Sequence, residues 1–441
     1  MSQVSNQQVV DLFKRVYGDL HNLLPQDFPL AREIPFSEGR KVGDSFVEAF
    51  VLANETGWTL AGTGQDAFDI NPAIAGVVKQ SSIIPSQVVL TSVIPFAFIS
   101  RSAGGGEKAF YDGTKHVMQN HIRSHSRLLE ALRIHGQRAA KLGYVSYAPS
   151  GTVYRGATYS GSGNVTVGGV AFTAGINAAS KAILLAPGYF AAGLWVGLEG
   201  CVVQQLDSSD AVVASGKLVS VDADNGIIYV DFTPVAATGL TSHKVAFEGM
   251  EANKEMVGLH KILENAGTLF GISAASYALW KANKVDLLKK RFSLKALQEG
   301  VAQAVNKGGL DKPLMVCVNP RTFAALTQDE AAMRKYDASY KSAAQNGFET
   351  IEYYAANGLN KIVPHRMIME GDAYGLEIGD WIRSGSAEIS FKVPGLDKEV
   401  IFPLENQAGW VVRSFSDQFV MCRAPARQIL WTNGNDEGVA Y

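Results

Sequence analysis

The sequence predicts an α+β fold into which a separate all-β domain is inserted. A regular helical period runs from the glycines at 104–106 to Gly136, and it predicts one long helix. Residues 151–248 lose that period and are rich in Gly, Ser, Thr and Val. Within them, an Asp-Asn-Gly turn at 224–226 separates two alternating apolar runs, which is the pattern of a β-hairpin. We therefore expect a small barrel or sandwich within a chain that otherwise mixes helices and strands.

The composition sets limits on the class of protein. The chain has 441 residues, 47% of them apolar, which is enough for two or three packed domains. Its 40 basic and 42 acidic residues are nearly balanced, so no strong field toward nucleic acid or membrane is expected over the whole molecule. The cysteines, Cys201, Cys317 and Cys422, form no CxxC pair, which disfavours a disulfide framework and a zinc knuckle and favours a reduced, intracellular site of synthesis. The start of the chain lacks a signal-peptide pattern, and no run of about 18 apolar residues predicts a membrane span.

The first hundred residues predict a helix followed by an extended arm. Apolar residues at helical spacing predict a helix over 6–24, which Pro25 ends. Strand-like runs at 41–60 and 83–100 flank a turn-rich tip, and we interpret them as the two strands of a long hairpin. Such an arm cannot bury both of its faces against its own chain, so we expect it to need a partner surface.

The long helix covers 107–136 and is expected to form a spine. Glu107 near its start and Arg133 and His135 near its end complement the helix dipole, and Gly136 is a suitable stop. At 1.5 Å per residue this spine helix would run about 45 Å. Farther along, Ser293 and the double glycine at 308–309 predict the two ends of another helix.

The histidines of the spine helix are the first candidates for chemistry. His121 and His125 stand four residues apart, a spacing that can chelate a metal ion. The HExxH glutamate is missing, since Ile122 follows His121, and the nearby Arg123 and Arg127 would repel a cation. We interpret this side of the helix as a solvated or interface face.

Three other patterns give weak signals for a site. GTGQDA at 62–67 has the form of a dinucleotide fingerprint, but no helical period follows it, so a loop tip is predicted. In KPLMVCVNPRTFAAL at 312–326, a strand over 314–318 meets a helix start in which Asn319 caps and Pro320 is the first helical residue. Cys317 in that strand is expected to fill a core. KANKVDLLKKR at 281–291 is basic but has no aromatic platform beyond Trp280, which predicts a solvated loop or a subunit contact and leaves a weak electrostatic contact with nucleic acid open.

No converging reactive groups emerge, so no catalytic, cofactor-binding or metal-binding residues are predicted. The sequence instead favours a structural, self-assembling protein. The order of these segments along the chain resembles that of the major capsid proteins of tailed bacteriophages, which have the Hong Kong 97-like fold. The stretches that carry the resemblance are EGRKVGDSFVEAFVLANETGWTLA, SRLLEALRIHG, GLHKILENAGTLFGISAASYALWKA, VCVNPRTFAAL and NGLNKIVPHRMIMEGDAYGLEIG.

The resemblance implies a division of the chain and a mode of assembly. Its segments would be an N-terminal arm (1–37), an extended loop (38–100), a peripheral domain with the spine helix (101–149), the inserted β-domain (150–248), an axial domain (249–385) and terminal peripheral strands (386–441). Copies would form hexamers and pentamers that close into an icosahedral shell, with the extended loop lying over a neighbour. The residues expected at such interfaces are Trp58, Phe68, Ile70, Ile74, Lys79, Arg123 and Arg127. Some relatives cross-link a loop lysine to an asparagine, but nothing near Lys79 identifies that chemistry here.

The resemblance also implies partners and a location. These are other copies of the chain, a portal protein, a decoration protein and packaged double-stranded DNA bound without sequence specificity. The segment before the extended loop is short, so we expect no fused scaffolding domain and predict a separate scaffold protein or none. The location is the virion, after assembly in the host bacterial cytoplasm. Two alternatives stay open: an encapsulin-like nanocompartment shell of the same fold, and an α/β enzyme with a β-domain.

Overall fold

A computed structural model describes residues 29–38, 45–64, 68–95, 107–327, 351–391, 401–403 and 408–435. The predicted helix over 6–24 lies outside these ranges. The described α-helices are α1 (Pro29–Glu33), α2 (Glu107–His135), α3 (Ala192–Trp195), α4 (Leu259–Glu264), α5 (Leu294–Gly308) and α6 (Pro320–Thr327). Helix α2 is the predicted spine helix, with 29 residues.

Strands are more numerous than helices. Those of the arm and the chain up to the spine helix are β1 (Phe36–Glu38), β2 (Phe46–Ala53), β3 (Val77–Ile83) and β4 (Ser86–Pro95). The next are β5 (Val153–Tyr154), β6 (Ala157–Thr158), β7 (Val165–Val167), β8 (Val170–Phe172), β9 (Ile176–Asn177), β10 (Ala182–Leu184), β11 (Val202–Asp207), β12 (Val212–Asp222), β13 (Ile227–Val230) and β14 (His243–Phe247). The last are β15 (Thr268–Leu269), β16 (Ile272–Ser273), β17 (Asn283–Asp286), β18 (Met315–Val318), β19 (Ile351–Ala355), β20 (Gly358–Pro364), β21 (Ala373–Leu376), β22 (Trp381–Ser390), β23 (Ile401–Pro403), β24 (Gly409–Cys422) and β25 (Ile429–Thr432).

The inserted domain is a closed barrel, one of the two architectures expected. Its sheet runs β14-β11-β12-β13-β10-β9 with antiparallel pairs, and the predicted turn at 224–226 joins β12 to β13. Residues 142–146 close the ring. The N–H of Val145 donates to the carbonyl of His243 in β14 (3.0 Å), and that of Ser146 donates to the carbonyl of Leu184 in β10 (2.9 Å). The barrel therefore starts directly after the spine helix.

Two larger sheets lie outside the inserted domain in the part of the chain that the structure describes. Sheet I joins β1, β22, β24 and β23, with β4 also paired to β24, and it lies beneath the spine helix. Sheet II runs β17-β25-β21-β18-β20-β19, and helix α5 packs on it. The buried cluster between α5 and sheet II includes Leu297, Val301, Val316, Ile362, Ile429 and Trp431. Burial of these apolar side chains is the main term that holds the helix on the sheet.

The predicted helix ends are confirmed. The Ser293 hydroxyl accepts from the N–H of Ala296 at the start of α5, and Gly309 caps its end with φ 60°. The spine helix stops at Gly136, where a Cβ would meet the carbonyl oxygen of Met256 at 2.1 Å. Gly258 donates its N–H to the carbonyl of Gly136 (2.9 Å) at the same crossing. Only glycine allows the two backbones to approach this closely.

Two strand assignments differ from the sequence-based prediction. The partner of β2 is β3, whose first four residues, VVKQ, were interpreted as part of the tip; only Ile83 of β3 belongs to the run at 83–100 that was expected to pair with β2. That run contains β4, which pairs along its whole length with β24 of sheet I. At the other end of the chain, β25 lies in sheet II between β17 and β21, although residues 386–441 were expected to stay with the peripheral strands. The pairing of β4 with β24 and that of β17 with β25 each join strands that are distant in sequence.

Candidate assembly surface

The arm is a hairpin, β2 and β3, whose base is fixed to the body of the protein. Phe46 stacks on Phe419 of sheet I with ring centroids 4.9 Å apart, and Phe50 contacts Trp280 at the same distance. Glu48 forms an ion pair with Arg423 at 2.8 Å. The base is therefore held by apolar packing and a charge pair, so the direction of the arm is set by the fold.

Beyond the strands, the tip of the arm has its own hydrogen bonds. The N–H of Asn71 donates to the Thr59 hydroxyl (2.8 Å), and its side-chain amide donates to the carbonyl of Trp58 (2.9 Å). The N–H of Thr56 donates to the carbonyl of Ile74 (3.1 Å). These bonds give the tip a defined shape before it meets any partner.

Large apolar side chains on this tip face water. Trp58 is 77% exposed and Ile70 81%, and Phe68 and Ile74 are exposed as well. Leu60, which the sequence-based prediction did not select, is 96% exposed. Because a soluble monomer seldom leaves such a group of side chains uncovered, the tip has the properties of a protein-binding surface.

The charged interface candidates have different environments. Lys79 lies on β3 opposite Phe50, with its side chain exposed. Arg123 is half-buried on the spine helix. Arg127 is buried, and its guanidinium donates to the carbonyls of Gly193 (2.9 Å) and Val196 (2.5 Å) in its own chain. Arg127 therefore fixes the segment around α3 to the spine helix, which differs from the outward role predicted for it.

The histidine face of the spine helix is buried, so the prediction of a solvated or interface face is wrong. His121 is 3% and His125 0% exposed. Nδ1 of His121 lies 2.7 Å from the Ser92 hydroxyl, and its Nε2 lies 2.7 Å from that of Ser414. Burial lowers the pKa of His121 and lowers that of His125 to about 4, with the charges of His121 and Arg133 adding to the effect on His125. Both rings are therefore neutral near pH 7 and join the helix to β4 and β24.

The strand-to-helix step at Asn319 has the predicted architectural role. The Asn319 side-chain oxygen accepts from the N–H of Arg321 (2.9 Å), and its amide donates to the carbonyl of Ile368 (2.7 Å). Helix α6 begins at Pro320. Cys317 is 1% exposed, and burial raises the pKa of its thiol to about 12. A thiol with that pKa is not a nucleophile near neutral pH.

The buried carboxylate of Glu130 connects the spine helix to its surroundings. Glu130 is fully buried and accepts from the N–H of Leu30 (3.0 Å), from Arg133 (2.8 Å) and from His365 (3.2 Å). These contacts join α1, the spine helix and the end of β20.

Among the residues that the structure describes, no group of three or more His, Cys, Asp or Glu side chains is placed to hold a metal ion. Within the same ranges, none of the helices has the length and hydropathy needed to cross a membrane.

Comparison with known proteins gives similarity at the level of structure. Neither a protein-family model nor a curated protein matches this sequence. A chain of the cyanophage A-1(L) capsid aligns over 96% of this chain and 100% of its own, with 10% identity and a TM-score of 0.48. The SrpI encapsulin of Synechococcus elongatus aligns over 100% and 98%, with 8% identity and a TM-score of 0.43. A chain from Mycobacterium phage Bobi aligns over 98% and 99%, with 7% identity and a TM-score of 0.43.

These three alignments cover nearly the whole of each chain at identities of 10% or less. The predicted α+β class is confirmed by the elements themselves. The described residues contain the arm hairpin, the spine helix, two sheets and an inserted all-β domain, in the order expected from the resemblance to the Hong Kong 97-like fold.

Proposed function

We propose that this chain is the major capsid protein of a tailed double-stranded DNA bacteriophage. Copies assemble as hexamers and pentamers into an icosahedral shell that encloses the genome. The observation that carries the proposal is the arm, which has a fixed base and a tip with exposed apolar side chains such as Trp58 and Ile70. In a shell, each arm is covered by the next copy around a ring, which is a heterologous contact that repeats until the ring closes.

The remainder of the described chain supports a structural role. The thiol of Cys317 is buried, and the paired histidines of the spine helix are hydrogen-bonded between elements of the fold. Buried polar groups join the spine helix to both sheets, which gives a rigid building block. The further partners of such a shell would be a separate scaffold protein, a portal, a decoration protein and the packaged DNA.

Electron microscopy of the expressed protein tests this proposal. We expect closed shells of uniform size for the wild type, alone or with a scaffold protein supplied. Replacing Trp58 and Ile70 with serine should leave a folded protein that forms no shells, because the side chains that a neighbour covers are gone. The matched control is Val219→Ser, since Val219 is 55% exposed on the barrel and lies outside the arm. A wild type that stays monomeric under every condition would contradict the proposal.

A nanocompartment shell is the second candidate, and the same fold supports it. The two functions differ in content. Purified particles from infected cells should absorb at 260 nm as packaged DNA does, whereas particles that hold only protein cargo would favour the nanocompartment.

A further inference from the structure

A basic turn at the edge of sheet II is the strongest feature that the proposed function does not yet use. Residues 281–295 carry six cationic side chains and one carboxylate, Asp286, in a chain whose total charge is −2. We define the basic turn as residues 286–291, which connect β17 to α5. Its lysines, Lys289 and Lys290, are exposed, as is Arg291.

The backbone of the basic turn is fixed by hydrogen bonds. The Asp286 carboxylate accepts from the N–H of Leu288 (2.8 Å) and from the Asn433 side chain (3.0 Å). The N–H of Lys289 donates to the carbonyl of Asn433 (2.8 Å), and the N–H of Lys290 closes the turn on the carbonyl of Leu287 (2.8 Å). The segment that the sequence predicted to be a solvated loop or a subunit contact is therefore a turn with a fixed backbone.

The two central residues of the turn are strained. Leu288 has φ 53° and Lys289 φ 61°, so both lie in the left-handed region. Turns with two such residues normally contain Asn-Gly, which adopts this backbone at little cost. Leucine and lysine are unfavourable here, and backbone strain of this kind gathers at functional positions. The turn leaves the Leu288 side chain 67% exposed next to Lys289 and Lys290. Its surface therefore presents one apolar side chain beside positive charges.

The tip of the arm has the complementary chemistry. Between Asn54 and Gly76 the sequence contains Glu55, Asp66 and Asp69 and no lysine or arginine. Glu55 and Asp69 are exposed beside the apolar residues of the tip. The exposure of Trp58 and Leu60 also indicates that the described part of this chain does not cover the tip.

We propose that the basic turn of one copy receives the arm tip of a neighbouring copy. Leu288 contacts the apolar side chains of the tip, and Lys289 and Lys290 face Glu55 and Asp69. Opposite charges at such a contact fix its register and speed the encounter of the two surfaces. This inference rests on the proposed function, since it requires copies that associate through their arms.

Nucleic acid fits the basic turn less well. Phosphates would attract the cations but would leave Leu288 without a partner. The aromatic residues near the turn, Trp280 and Phe292, are each 3% exposed, so they offer no platform on which bases could stack. A protein surface that is both acidic and apolar provides partners for Leu288 and for the cationic side chains of the turn.

A charge-exchange experiment tests the contact. One variant carries Lys289→Glu and Lys290→Glu, a second carries Glu55→Lys and Asp69→Lys, and a third carries all four changes. We expect each double variant to lower the yield of shells by roughly tenfold or more, because like charges then face each other. The third variant should recover most of that yield, because the pairs are restored with their signs exchanged. The matched control is Lys217→Glu with Lys361→Glu, two exposed lysines on the barrel and on β20, which should assemble like the wild type.

Different failures have different meanings. If both double variants assemble normally, or if the fourfold variant does not recover, the docking contact is wrong while the shell function stands. Normal shells from Lys289→Glu with Lys290→Glu that have lost only retained DNA would assign the turn to nucleic acid and overturn the contact. If wild type and control form no shells, the proposed function itself fails, and the docking contact fails with it.

Discussion

The Oγ atom of Ser414, in the middle of β24, lies 2.6 Å from Nδ1 of His125 in the spine helix. The same oxygen lies 2.7 Å from Nε2 of His121, one turn earlier in the helix. A serine hydroxyl has one proton to donate, so at least one of the two imidazoles must donate its own N–H to this oxygen. Among the residues that the structure describes, none forms a hydrogen bond with Nε2 of His125. Both rings are buried, which disfavours a positive charge on either of them.

Acid should therefore destabilise the protein through these histidines before most carboxylates titrate. Burial lowers the pKa of His125 to about 4 and also lowers that of His121. An unfolded histidine has a pKa of about 6.5, so below that pH the unfolded chain binds protons that the folded chain does not. The free energy of unfolding should fall as the pH is lowered from about 6.5 toward 5, as measured by urea denaturation at several pH values.

Substitution separates this effect from other sources of pH dependence. His125→Gln removes one titrating group, so the loss of stability between pH 7 and pH 5 should become smaller. Ser92→Ala is the control, because it removes a hydrogen bond to His121 but retains both imidazoles; its pH dependence should match that of the wild type. An unchanged pH dependence in His125→Gln would show that this ring does not control acid stability.

The buried pair of Arg138 and Asp372 predicts a large loss of stability on substitution. Nη1 of Arg138 lies 2.6 Å from Oδ2 of Asp372, and the two side chains are 4% and 3% exposed. Asp372→Asn leaves a buried guanidinium without its counter-charge, which should lower the free energy of unfolding by about 3–5 kcal/mol. The control is Glu299→Gln at the exposed pair with Lys295, where a change of about 0.5 kcal/mol or less is expected. Equal effects at the two sites would contradict the importance of burial.

Local sequence signals predicted the parts of the fold that neighbouring residues determine. Ser293 and Gly309 bound α5, Asn319 and Pro320 start α6, and Gly136 ends the spine helix, because a cap or a turn needs only a few adjacent residues. The apolar residues of the arm, such as Trp58, were selected instead from the resemblance, which implies an extended loop that lies over a neighbour, and their exposure agrees with that prediction.

Contacts between distant segments could not be predicted in this way. A helical period shows that His121 and His125 share a face, but it does not show that β24, almost three hundred residues later, covers that face. The polar strand β3 resembles a loop until its pairing with β2 is seen. The basic turn gave a charge signal in sequence, but its left-handed backbone at Leu288 depends on hydrogen bonds to the end of the chain.

The contact between Gly300 and Trp431 gives the sharpest test of core packing. Gly300 lies inside α5, and a Cβ there would approach Cζ2 of Trp431 to 2.5 Å. Trp431 is fully buried, and its indole N–H donates to the carbonyl of Ala296 in the same helix (2.9 Å). Trp431 belongs to β25, and its ring lies against Gly300 of α5 and close to Gly375 of β21, so it has little freedom to move away.

Two effects of opposite sign act in Gly300→Ala. Alanine favours the helix over glycine by about 1 kcal/mol. Forcing an extra carbon into a packed core costs about 1–3 kcal/mol, and the fixed ring places this site toward the upper end of that range. We therefore expect a net loss in the free energy of unfolding, measured by urea denaturation. Gly267→Ala is the control, because a Cβ at Gly267 meets no atom within 4 Å. If Gly300→Ala were more stable than Gly267→Ala, the ring of Trp431 would have to move easily. Sheet II could then not be the rigid support that a fixed basic turn requires.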